Sequence, residues 1–287
     1  MLKLGFFTDN TQLAELVGDL GRQANIEVEG IWAEPLLNGD GKRNFSNCFS
    51  DPEELYGSID VGVISISSSE LFMDIVTAAI KNGVHPLVVG LPDLQLSTYN
   101  QLSLLSAEMG VELGFSHIYH RFSGFNYPLV SPIIAHLTRG ITMNQLNQFE
   151  MAATLRFDIA TILSLTTSEV RRIRTYVLPQ SGECPSCMMV FIDFFNNSAI
   201  TYNLTLGAKR NFLELRLNSI GEAIELYEDE IKLATSSLGG MISTSIFLDD
   251  LNNFTGCIGI QREPLLGISF VMKILSAVEA ISQKMAR

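Results

Sequence analysis

The chain has 287 residues, of which 47% are hydrophobic and only 17% charged, a composition that excludes a disordered or low-complexity protein. Nineteen Lys and Arg stand against 31 Asp and Glu, for a net charge of −12, and so acidic a chain repels phosphate backbones and anionic headgroups. Neither nucleic acid nor a membrane is expected as a partner, and the apolar stretch 265–278, interrupted by Lys273, falls short of the ~20 residues a span requires.

In chain order, β-rich runs are expected at Lys3 to Thr8, Glu27 to Trp32, Asp60 to Ile66, Pro86 to Val89 and Glu112 to Phe115. Between the first two, Leu13, Leu16, Val17 and Leu20 recur at helical spacing, as do Phe72, Ile75, Val76 and Ala79 further on, and then Leu102, Leu105 and Met109. Gly83 and Gly110 stand where these last two helices end. Asp51-Pro52-Glu53-Glu54 supplies an N-cap, a proline at the first helical position and acidic residues over the positive end of the helix dipole. Strands alternating with helices specify a parallel sheet with crossover helices. Residues 1–120 carry a net charge of −11 and residues 121–287 only −1, which places a domain boundary near 120.

The second part opens with a helical pattern from Met143 to Leu165. Extended segments follow in succession at Glu169 to Leu178, Met188 to Phe195, Ala199 to Leu206, Phe212 to Asn218 and Ala223 to Tyr227, and a helix bearing Ile274, Ala277, Val278 and Ile281 on one face closes the chain after Pro264. Strands without intervening helices imply an antiparallel sheet. Met188, Val190 and Ile192 alternate with Met189, Phe191 and Asp193, so burial is expected on both faces of that sheet. The expected fold is thus an α/β Rossmann-like parallel-sheet domain over 1–120, then an α+β domain over 121–287 with an open, mostly antiparallel sheet and a final helix able to return to the first domain.

That order resembles the glucose-fructose oxidoreductase and inositol dehydrogenase (Gfo/Idh/MocA) family. In 49-FSDPEELYGSIDVGVISISSSELFMDIVTAAIKNGVHPLVV-89, Ala79-Ile80, Gly83 and His85 fall in register with the family's helix ending, and Arg121-Phe122 closes 108–122 as the family's Arg-Phe pair does. Asp158 matches the aspartate of the family's His-x-x-Asp motif. The resemblance implies a nicotinamide dinucleotide over the first sheet, a catalytic lysine in Glu-Lys-Pro after the fourth strand, and subunit contacts through the open face of the second sheet.

The sequence departs from the family at each chemical motif. Where a diphosphate loop places G-x-G-x-x-G, this chain has Thr8, Asn10 and Leu13, whose β-carbons crowd the diphosphate, and Asp9 beside it is repulsive. The acidic residue that binds the adenosine ribose in the family corresponds to Ala33 or Glu34. Val89-Gly90-Leu91-Pro92 supplies no lysine, and Leu155 stands where the motif's histidine would relay a proton. No catalytic residue is assigned. The expectation is a degenerate, non-catalytic relative that binds a small ligand or acts in assembly. No cofactor is expected; NAD is the choice if one binds, since Lys42-Arg43 is the sole basic pair near enough to suggest a 2′-phosphate. The alternative is an active NAD(P)-dependent oxidoreductase of sugars or cyclitols in which Tyr119, His120 or Asp158 replaces the missing groups.

The residual cofactor-pocket candidates are Thr8, Asp9, Asn10, Glu34 and Ser67, and the ligand candidates are Tyr119, His120, Arg121 and Asp158. Open α/β sheets bind ligands at the carboxyl ends of their strands, where the segment 119–121 and the serines after Ile64 fall. Ser65, Ser67, Ser68 and Ser69 serve first as caps for the helix near Glu70. No metal site is expected: Cys184-Pro185-Ser186-Cys187 lacks two further ligands, and His117 and His120 point to opposite faces if extended. Four cysteines do not make a disulfide framework, and Asp9 precedes any secretory apolar run, so the expected location is the cytoplasm, with a homodimer or larger assembly through the second sheet.

Overall fold

The computed structural model describes residues 2–20, 27–33, 47–117, 129–142, 148–178, 187–220, 222–229, 244–260 and 262–285, and divides into two compact units. One comprises 1–118 with 237–272, the other 119–236 with 273–287.

The first unit is built on a six-stranded parallel sheet of β1 (Lys3–Thr8), β2 (Glu27–Ala33), β3 (Cys48–Phe49), β4 (Val61–Ser65), β5 (His85–Val89) and β6 (Gly114–Ser116), in the order β3-β2-β1-β4-β5-β6. On one side α1 (Thr11–Leu20) buries Leu13, Leu16, Val17 and Leu20 in a cluster with Leu4, Phe6, Val61, Val63, Leu87 and Val89. The sequence leaves 244–257 unassigned, and there the chain forms α6 (Thr244–Cys257), whose Phe247, Leu251 and Phe254 complete this cluster. Helices α2 (Pro52–Tyr56), α3 (Ser69–Lys81) and α4 (Leu96–Met109) form where expected; α3 buries Phe72, Ile75, Val76 and Ala79, whereas α4 buries Tyr99, Leu102 and Ser106 and leaves Met109 of its expected stripe exposed. The caps act as their chemistry dictates. The Asp51 carboxylate accepts the Glu53 N–H, Ser68 accepts the Leu71 N–H, and Gly110 ends α4 at φ +67, a left-handed conformation that a β-carbon disfavours.

The second unit contains α5 (Gln148–Ser164) and a six-stranded sheet of β7 (Ile134–Ile141), β8 (Val170–Leu178), β9 (Cys187–Phe194), β10 (Ala199–Leu206), β11 (Phe212–Ser219) and β12 (Glu222–Asp229). Its order is β12-β11-β7-β10-β9-β8. β7, also unassigned from sequence, lies at the centre and runs parallel to β10, so the sheet is mixed and mostly antiparallel. One face is dry, with Leu137, Val190, Ile192, Ile200, Leu204 and Leu215 buried. The other differs from the expected two-sided burial, because Met189, Phe191 and Asp193 are only half-buried in a single chain. The last helix, α7 (Ile268–Met285), begins four residues after Pro264, whose carbonyl accepts the Gly267 N–H.

Candidate functional site

In the first unit, the carboxyl end of the sheet is where a ligand of an open α/β fold is held. Thr8 and Ser65 end adjacent parallel strands and are both buried. The Thr8 hydroxyl accepts the Asn10 N–H at 2.8 Å, forming a short side-chain turn before α1. Asp9 is held from two sides: its N–H donates to the Ser65 carbonyl at 3.2 Å, and its carboxylate accepts the Ser67 N–H at 2.8 Å and the Ser67 hydroxyl at 3.3 Å. A salient carboxylate therefore bridges the β1–α1 and β4–α3 loops, at the place where a glycine-rich loop would bare its N–H groups to a diphosphate. Leu13 lies wholly in the core. The turn after β1 thus presents the side chains of Thr8, Asp9 and Asn10, with a carboxylate at its centre, where a glycine-rich loop presents bare N–H groups.

Two further groups meet at this edge. The Gly90 N–H, at φ +89, donates to the Ser116 carbonyl at 2.7 Å, and the buried Tyr99 hydroxyl donates to the Pro92 carbonyl, so the loop after β5 is fixed without a cation. Asp250 of α6 is buried and accepts the Ser116 hydroxyl at 2.8 Å and the His117 N–H at 3.2 Å. His117 has φ +58, a conformation uncommon outside glycine, and the Asp250 contact holds it there. Sequence reasoning missed Asp250 because 133 residues separate it from His117. The spacing of Phe247, Leu251 and Phe254 is the signal that would have placed it on a buried helix face. Ser65 keeps a buried hydroxyl with no hydrogen-bond partner.

In the second unit, Asp158 is fully buried on α5. Its Oδ2 accepts Arg139 Nε at 2.5 Å and the Tyr202 hydroxyl at 2.7 Å, and its Oδ1 accepts the second Arg139 nitrogen. Bidentate pairing of this kind satisfies both charges in a dry setting. Burial, with the Asp158 carboxylate beside it, holds the Tyr202 hydroxyl well above the ordinary phenol range. The aspartate matched to the family's His-x-x-Asp motif, a ligand candidate from sequence, is here the anchor joining α5 to β7 and β10, and Leu155 is buried one turn before it.

Of the other candidate residues, Glu34, Tyr119, His120 and Arg121 lie outside the described residues, as do Cys184 and Lys42-Arg43. Cys187 is half-buried at the start of β9 and is a free thiol. Among the described residues no three His, Cys, Asp or Glu side chains gather as metal ligands, and no helix is long and apolar enough to cross a membrane.

Neither a protein-family model nor a curated protein matches the sequence. Solved structures do match over nearly the whole chain. UDP-N-acetylglucosamine 3-dehydrogenase GnnA from Acidithiobacillus ferrooxidans is 12% identical with a TM-score of 0.65, over 98% of this chain and 96% of that one. The dehydrogenase MviM from Clostridium difficile is 16% identical with a TM-score of 0.70, over 99% of both chains. The scyllo-inositol dehydrogenase from Lactobacillus casei, solved with NAD(H) and scyllo-inositol, is 10% identical with a TM-score of 0.69, over 99% of this chain and 96% of that one. The chain has the two-domain fold of the Gfo/Idh/MocA-type dehydrogenases.

Proposed function

We propose that this chain is a dehydrogenase-fold protein without hydride-transfer activity, retained as a small-molecule-binding or assembly protein in the cytoplasm. The observation that carries the reading is the Asp9 carboxylate held by Ser67 across the carboxyl end of β1, in place of a diphosphate loop. Asp158 supports it, because its carboxylate is fully buried and already engaged by Arg139 and Tyr202. A small ligand is expected at the carboxyl edge of the first sheet, where the Ser65 hydroxyl has no partner and Asp250 positions His117. For the assembly role, two copies join through the half-exposed face of the second sheet.

The experiment is turnover followed by nicotinamide absorbance, with NAD and NADP each offered against cyclitols, sugars and sugar nucleotides. No nucleotide reduction is expected. A kcat of about 1 per second or more, the lower end of ordinary enzymes, overturns the proposal. A second reading, favoured by neighbours that were solved with NAD(H), is an NAD-dependent dehydrogenase with an altered catalytic set. It requires Asp9 to leave Ser67 when the nucleotide arrives.

A further inference from the structure

The two edges of the second sheet carry opposite charge. β8 bounds it on one side and β12 on the other. β8, Val170-Arg171-Arg172-Ile173-Arg174-Thr175-Tyr176-Val177-Leu178, holds three arginines and no acid, in a chain whose net charge is −12. β12 holds Glu222, Glu225, Glu228 and Asp229 and no base. The register of β8 with β9 places Arg172, Arg174 and Tyr176 on the open face, beside Asp193, Phe191 and Met189. Ile173, Thr175 and Val177 lie on the other face, beside Ile192, Val190 and Met188. Those three partners are buried, yet Ile173, Thr175 and Val177 are only half-buried, since among the described residues no strand flanks β8 on its outer side. Two buried polar atoms of β8 have no hydrogen-bond partner, Thr175 Oγ1 and Arg174 Nε.

An edge strand presents a row of unpaired N–H and C=O groups, and charge placed on it is the ordinary guard against pairing with a stray strand. The guard acts by sign. Three arginines repel a basic strand and attract one that carries carboxylates. Arg171 and Arg172 are exposed and, among the described residues, form no ion pair, so their charge is available to a partner. The neighbouring acids are already engaged: Glu169 accepts Lys273 at 2.6 Å, and Asp193 accepts Arg174 at 3.1 Å. The register skips at Arg171, a bulge that leaves 172–178 as the regular template. Its alternation fixes the pattern of a matching segment, with acidic residues beside Arg172 and Arg174 and apolar residues beside Ile173, Thr175 and Val177. At the opposite edge the Glu225 side chain is 64% exposed and repels the same segment, so one edge alone suits it.

We propose that β8 takes an extended acidic segment of another protein as a seventh strand, with that segment's carboxylates against Arg172 and Arg174. Backbone pairing holds the segment and the arginines select it. The inference stands apart from the ligand and assembly readings above. The test is fluorescence anisotropy of a labelled octapeptide that alternates Glu and Val, titrated with the full chain at about 50 mM salt. A dissociation constant of about 100 μM or tighter is expected, weakened about tenfold or more by Arg172→Glu and by about 0.5 M salt. Arg172 is exposed, and circular dichroism melting shows that the variant is folded. Two control peptides keep the test sharp on the wild-type chain: one with Lys in place of Glu, and one with the original charges but N-methylated at alternate residues. Neither is expected to bind at about 1 mM. Absence of wild-type binding at that concentration overturns the proposal, as does equal binding of the Lys peptide or no effect of Arg172→Glu. Equal binding of the N-methylated peptide shows adhesion without strand pairing and overturns it too. So does a peptide that binds only while dissociating a wild-type oligomer in sedimentation velocity, because a second copy then holds this edge.

Discussion

Asp158 shows how far a single residue's role depends on what surrounds it. As a letter in Leu155-Arg156-Phe157-Asp158 it is the remnant of a catalytic motif; in the fold it is the shared acceptor of Arg139 and Tyr202, with all three side chains buried. Removing one partner of a buried ion pair leaves the other charge uncompensated, so Asp158→Asn is expected to destabilise the protein by about 3 to 5 kcal/mol, and Tyr202→Phe by about 1 kcal/mol, in urea unfolding. If Asp158→Asn left the unfolding midpoint unchanged, the anchoring role would be wrong. His85 offers a pH test. Its Nδ1 accepts the Glu112 N–H at 3.0 Å, and burial, opposed by nearby Asp60, holds its pKa below the ordinary histidine value. The unfolded chain therefore takes up this proton first, and the His85 contribution is fully present above pH ~6.5 and lost as the pH falls below it, by up to ~1.4 kcal/mol per pH unit. His85→Gln is expected to flatten the stability profile just below pH ~6.5, and an unchanged slope there would exclude His85 as its source. Partners such as Arg139 and Tyr202 were not legible, because nothing local ties residues 19 and 44 positions from Asp158 to it.

At the scale of elements, what could be read followed from periodicity and caps. β1 matches residue for residue, α3 buries the stripe Phe72, Ile75, Val76 and Ala79, and Ser68 caps it. The elements missed are those whose pattern is interrupted. β7 carries Arg139 on its inward face, which breaks the apolar alternation, and α6 contains Asn252-Asn253 and Gly256, which mimic a turn. The contact between α6 and β6 is close. A β-carbon on Gly114 would lie 2.4 Å from the Phe254 ring, while Phe115 N–H donates to the Leu266 carbonyl alongside. Gly114→Ala is expected to force Phe254 out of place and cost about 1 to 3 kcal/mol, read as a lower thermal midpoint; an unchanged midpoint would show that the ring yields freely. The turn between β9 and β10 is held by polar contacts. Asn196 Nδ2 donates to Ser131 Oγ at 2.6 Å and Thr166 Oγ1 at 3.0 Å, and Asn196 Oδ1 accepts the Ser198 N–H at 3.0 Å. Asn196→Ala strands several of these groups at once and is expected to cost about 2 kcal/mol, whereas Asn203→Ala, on the open face, is expected to leave the stability of the isolated chain within about 0.5 kcal/mol.

For the whole molecule, the sequence carried the alternation of strands and helices in its first part and the run of strands in its second, and the fold is the one that order implies. The sequence implies a return of the chain to the first unit through the final helix; the segment grouped with that unit is 237–272, which holds α6, unassigned from sequence, and only the start of that last helix. Fold alone does not carry chemistry, because one scaffold hosts many functions. Here the turn after β1 carries Thr8, Asp9 and Asn10, and the Asp9 carboxylate accepts the Ser67 N–H. The most direct measurement is calorimetric titration of the purified chain with NADH at neutral pH. No saturable binding is expected up to about 1 mM nucleotide, and a dissociation constant of about 10 μM or tighter would contradict the account.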